Sequence, residues 1–111
     1  MTIYITQGRY TRDAIKGMVV KPEDRADAVA KILSKVGGRL VSHYLTFGEY
    51  DFLVISDVPG ETQMAAVLLA VASGGGVTDL KTTLAMTSMQ ATGAFAAASD
   101  LTAGFRSAGG V

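Results

Sequence analysis

The side chains best suited to chemistry recur at every second position in three short segments. Tyr4 and Thr6 alternate in the first, Ser42, Tyr44 and Thr46 in the second, and Asp79, Lys81 and Thr83 in the third. Period-two spacing puts each set on one side of a β-strand. Sharing one face of a sheet, they would bring together two tyrosines, several hydroxyls and a lysine. Such a lining, apolar in body and polar at the tips, suits a small-ligand pocket. A lysine beside hydroxyls in a partly dry pocket has a lowered pKa and can act as a base or carbonyl trap. The same residues would equally serve as a subunit interface with no pocket in it.

Two further side chains bear on such a site. His43 is the chain's single histidine and falls on the apolar phase of its segment. There a histidine is expected to be a core residue bonded to backbone. A β-bulge near Gly48 would turn it towards the pocket, where it is the natural proton-transfer group near neutral pH. Arg9 leaves the first segment with Gln7 and Tyr10. It could clamp a carboxylate or phosphate, or make an inter-subunit or solvated ion pair. The candidates are therefore Lys81 and His43 for catalysis, and Tyr4, Thr6, Arg9, Tyr44 and Thr83 for ligand contacts.

These residues need strands to hold them. Ile3 and Ile5 alternate with Tyr4 and Thr6, which predicts a strand over 2–7. Thr11 is a helix N-cap, and a short helix is expected over 13–19. Pro22 can open a second helical piece; Val29, Ile32, Leu33 and Val36 form its apolar stripe, and Gly37-Gly38 stops it. Strands at 39–47 and 51–58 flank the turn Gly48-Glu49-Tyr50-Asp51, making a hairpin. In that turn Gly48 allows positive φ, Asp51 can bond backbone and Tyr50 can pack across the strands. Residues 61–73 form a helix apolar nearly all round, implying cover on more than one side. Gly74-Gly75-Gly76 reads as its stop, since it follows a helix, precedes a strand and lacks the Lys-Ser/Thr of a phosphate loop. The last strand is expected over 77–87.

The order β-α-β-β-α-β is the ferredoxin-like pattern, an α+β sandwich. Right-handed crossovers give an antiparallel sheet in strand order 4-1-3-2 with both helices on one face. Alternation assigns Ile3, Ile5, Val41, Leu45, Leu80 and Leu84 to the helix side, which leaves Tyr4, Thr6, Tyr44, Lys81 and Thr83 on the bare side. Residues 1–90 form the domain. Residues 91–111, rich in Ala and Gly, form an extension, with Phe95, Ala98, Leu101 and Phe105 at roughly helical spacing.

Composition narrows the classes. Ten basic residues balance ten acidic ones, with no basic stripe, so a nucleic-acid partner is not expected. The chain has no cysteine, which excludes disulfides and thiolate chemistry, and one histidine makes a single-chain zinc or haem site unexpected. Met64, Met86 and Met89 read as core filling. The start, Met-Thr-Ile-Tyr-Ile-Thr, is not a signal peptide, and the apolar run Ala65–Ala72 is too short to span a bilayer. A cytoplasmic protein is the expectation.

The chain resembles the GYD-domain family, small proteins with a Gly-x-Tyr-Asp signature. Here that signature is Gly48-Glu49-Tyr50-Asp51, followed by Phe-Leu-Val-Ile. Tyr4 to Thr11, Pro22 to Ala26 and Gly74 to Thr83 are similar to family sequence as well. The resemblance implies the dimeric α/β-barrel type of ferredoxin-like fold, and names no reaction and no cofactor. The expectation is a small homo-oligomer that binds an organic molecule on the bare sheet face, with cofactor-free proton-transfer chemistry as its possible activity. The alternative is a non-enzymatic assembly or protein-interaction module.

Overall fold

A central strand, β1 (Thr2–Tyr10), organises the chain in a computed structural model that describes residues 1–110. It is followed by α1 (Arg12–Val20) and α2 (Arg25–Ser34), then β2 (Arg39–Leu45) and β3 (Phe52–Val58), α3 (Glu61–Ser73), β4 (Val77–Ala85) and α4 (Ser88–Thr102). The sheet runs β2-β3-β1-β4 with every neighbour antiparallel. This is the expected α+β, ferredoxin-like order, with the first crossover split into two helices. Thr11 and Asp24 cap α1 and α2, each side chain accepting a backbone N–H of the first turn. The second helical piece begins after Asp24, not at Pro22.

The sheet is read in cross-strand rows. On one face lie Tyr44–Leu53–Gln7–Lys81, Ser42–Ile55–Ile5–Thr83 and Arg39–Asp57–Ile3–Ala85; on the other lie His43–Val54–Thr6–Thr82 and Leu40–Ser56–Tyr4–Leu84. Tyr4 and Val58 pack with Leu33 of α2 and Met64 and Val67 of α3, so the second face is the one the helices cover. The phase assigned to β2 and β4 over Ser42–Leu45 and Leu80–Ala85 holds, and Tyr44, Lys81 and Thr83 stand on the face without helices. The phase assigned to β1 is reversed. Tyr4 and Thr6 are buried under the helices, and Ile3 and Ile5 lie on the uncovered face. The reason lies in β3, which is apolar on both sides: Phe52, Val54 and Val58 take the core, and Leu53 and Ile55 the other face. Isoleucine is thus at home on either side of β1.

Each outer strand carries one extra residue. Val41 is inserted in β2 between the pairs Leu40–Ser56 and Ser42–Ile55. In β4 the register slips between Lys81 and Thr78, and Asp79 there has φ 54°. Such bulges kink a strand locally.

α3 buries only Met64 and Val67, and Leu69 on its outer side is exposed. In the single chain its apolar circumference is therefore covered on one side, not several. The C-terminal extension begins as a helix, α4, at Ser88, closed by a capping box between Thr87 and Gln90. It buries none of its side chains, and Phe95 and Leu101 are exposed. The radius of gyration is 18.1 Å, against about 13 Å for a compact domain of this length. The final residue of the extension expected over 91–111, Val111, lies outside the described residues. Among the described residues no helix is long and apolar enough to cross a membrane.

Leu33 is 1 % exposed at the centre of the core. Leu33→Ala is expected to cost about 2–5 kcal/mol of stability through lost burial and the cavity left behind. A urea unfolding midpoint within error of the parent's would contradict this placement of the core.

Candidate functional site

The residues expected to share one pocket on the bare sheet face do not meet. Tyr44 on β2 and Lys81 on β4 occupy the same cross-strand row but opposite edges of the sheet. Three strand spacings separate them, about 14 Å. Lys81 is exposed and so is Thr83. Tyr4 and Thr6 are absent from that face altogether, and Thr6 instead shares a hydrogen bond of 3.0 Å with Thr82 beneath the helices.

Arg9 is engaged within the chain. Its Nε donates to the Glu49 carbonyl at 2.7 Å, its guanidinium lies 5.7 Å from the Tyr50 ring centroid, and Nη1 is 3.6 Å from Asp79. These contacts belong to a staple built by the Gly48–Asp51 turn. Gly48 has φ 132°, Thr46 Oγ1 donates to the Tyr50 carbonyl, and the Asp51 amide donates to the Gly8 carbonyl at 2.8 Å. The Asp51 carboxylate accepts the Tyr10 amide at 2.9 Å. The signature thus ties the hairpin turn to the end of β1 and sets where Tyr10 leaves the sheet.

Tyr10, Phe52 and His43 then form an aromatic row across β1, β3 and β2, on the helix side. The Tyr10 and Phe52 rings are tilted with centroids 5.0 Å apart, and His43 stacks on Phe52 at 6.5 Å. Gly8 makes room for this: a Cβ there would come within 2.6 Å of the Phe52 ring. The row forms the sheet side of a cleft of about 310 Å³. Ile32 and Val29 of α2 and Val71 of α3 form the helix side, and Arg25, the first residue of α2, stands at its edge.

Burial governs the ionisation of both polar ring groups. It pushes the His43 pKa below the ordinary 6.5, with Asp24 opposing and Arg25 adding a smaller push. It raises the Tyr10 pKa above 10, where Arg25 opposes and Asp51 adds. At neutral pH the cleft therefore presents a neutral imidazole, able to accept a proton, beside a phenol that keeps its own. Among the described residues no group of three His, Asp or Glu side chains is placed to hold a metal ion. Of the expected candidates only His43 lies in this cleft, in the apolar phase assigned to it. Tyr10 and Arg25 were not singled out. The available signal is the end of β1, where an aromatic residue closes the strand and a capped helix follows.

A family model for the GYD domain matches residues 4–95. The chain belongs to the GYD-domain family. That match spans the sheet, α1 to α3 and the first half of α4, and the Gly48-Glu49-Tyr50-Asp51 staple is its signature seen in three dimensions. The family member also has the fold of a solved structure, that of TTHA0845 from Thermus thermophilus. The two superpose with a TM-score of 0.52 at 17 % identity, over 78 % of this chain and 95 % of that one. A comparison with curated proteins gives no match.

Lowered proton affinity of His43 links folding to pH. The unfolded chain takes up the histidine proton near pH 6.5 and the folded one only at lower pH, so stability is full above 6.5 and falls as pH drops through the folded midpoint. An NMR titration of His43 should give a midpoint below 6.5, and His43→Gln should flatten the corresponding part of the Tm–pH curve. A midpoint at or above 6.5 would contradict the buried placement.

Proposed function

We propose that this GYD-domain protein binds a small organic molecule in the cleft between α2, α3 and the sheet. The apolar body of the ligand lies against Phe52 and Ile32, and the His43 imidazole accepts a hydrogen bond or proton from it. One observation carries the reading: the two groups whose proton affinity burial moves, Tyr10 and His43, line the same mostly apolar cleft. Perturbed ionisable groups inside a concave apolar site mark functional positions more often than chance. Proton-transfer chemistry without a cofactor is what a neutral imidazole in such a site can support. Lys81, exposed on the opposite face, contributes nothing to this cleft.

The face without helices we assign to self-association. Ile3, Ile5, Leu53 and Ile55 are only half-buried there, and no helix of the same chain covers them. Contiguous apolar surface of this kind suits a partner that covers it. Small-molecule binding and assembly then use opposite faces of one sheet.

Amide chemical-shift mapping with 2-naphthol as the probe tests the cleft. The shifts should centre on Tyr10, His43 and Val71, and Ala28→Trp, which fills the cleft from α2, should abolish them. Shifts centred on Ile5 and Ile55 would overturn the assignment. Self-association is tested by light scattering. The parent should exceed 11.5 kDa at micromolar concentration, and Ile55→Lys should shift it to the monomer; a monomeric parent would refute the interface.

A further inference from the structure

The cleft described above adjoins a second hollow of about 470 Å³, lined by α1 and the α1–α2 loop. Tyr10, Arg25, Gly76 and Val77 belong to both hollows. Tyr10 and Arg25 therefore border both chambers. The chambers differ in character. The inner one has Val29, Ile32, Phe52 and Val71. The outer one has Lys21 and Arg25 with a single carboxylate, Glu23.

The two cations are not consumed by their surroundings. Arg25 meets Glu23 through one nitrogen at 3.3 Å, leaving most of its donors free for a second acceptor. Lys21 closes α1 through its backbone, its amide donating to the Gly17 carbonyl, and among the described residues its ammonium makes no ion pair. Two cations against one carboxylate in its lining favour an anion in the outer chamber.

We infer that the ligand is an amphipathic carboxylate, with its ring or short chain in the inner chamber and its carboxylate between Lys21 and Arg25 in the outer one. This rests on the reading of the inner cleft as a ligand site and adds the charge, polarity and orientation of what enters it. A carboxylate held by Arg25 accepts charge-assisted hydrogen bonds. Its attached carbon framework then passes Tyr10 and reaches the Phe52–His43 row. The two hollows, about 310 and 470 Å³, are together large enough for a molecule of one or two rings.

Calorimetric titration with 2-naphthoate and its uncharged isostere 2-naphthamide separates the two levels of the argument. At low salt 2-naphthoate should bind at least about tenfold more tightly than 2-naphthamide, the scale of one charge-assisted contact. The preference should shrink as salt is raised. Lys21→Met and Arg25→Met should each lower the ratio of the two affinities, while Arg25→Lys retains part of it. Ala28→Trp should abolish binding of both. Equal affinities for the two probes, both blocked by Ala28→Trp, would overturn the carboxylate and leave the cleft standing. A preference that survives both methionine substitutions would overturn the outer chamber's role. Binding of neither probe would overturn both readings.

Discussion

Asp51 bonds β1 twice, through its amide to the Gly8 carbonyl and through its carboxylate to the Tyr10 amide. The rest of the molecule is arranged around that double tie. It holds the β2–β3 turn against the end of the central strand, and so decides the height at which Phe52 enters the sheet. Phe52 lies over Gly8, where no side chain stands in its way. From that one ring the aromatic row extends to Tyr10 on one side and His43 on the other. A carboxylate two bonds from the backbone thus organises a cleft it does not line. Hydrogen bonds to a charged acceptor are among the stronger ones a chain can make, about 1.5–3 kcal/mol net. That strength suits a contact on which several others are built.

Much of the fold was legible because its elements are strongly periodic. The 39–58 hairpin, the Thr11 cap and the stripe through Val29, Ile32 and Leu33 each announce themselves by type and spacing, and the strand order follows from handedness. What was not legible is the phase of β1. Alternation says which residues share a side, and it names the side only when one set is apolar and the other is not. Ile3 and Ile5 against Tyr4 and Thr6 looked like such a contrast. In the structure the tyrosine ring and a hydrogen-bonded pair of threonines fill the core, and the isoleucines continue an apolar stripe through Leu53 and Ile55.

The candidate site was partly hidden for the same reason. His43 falls on the helix side, and there it shares a cleft with Tyr10 and Arg25, both more than a dozen positions away in the sequence. Their meeting depends on tertiary packing of α2 against the sheet, which no local spacing encodes. Arg9 shows the converse. Its position at a strand end suggests a ligand clamp, and within the chain its Nε donates to the Glu49 carbonyl while Nη1 lies near Asp79. A charged residue near a functional turn can belong to the frame that holds the turn.

The extra residues in β2 and β4 have a consequence for the sheet's borders. Both insertions fall in the two outermost strands, and none in the inner pair. An outermost strand offers unpaired amides and carbonyls that invite another chain to add itself indefinitely, the route to aggregates. An inserted residue interrupts that ladder part-way along, at Val41 on one border and at Asp79 on the other. These backbone irregularities limit lateral growth of the sheet. Strand-by-strand addition is obstructed at both borders, while the broad face bearing Ile5 and Ile55 carries no such interruption in its two inner strands.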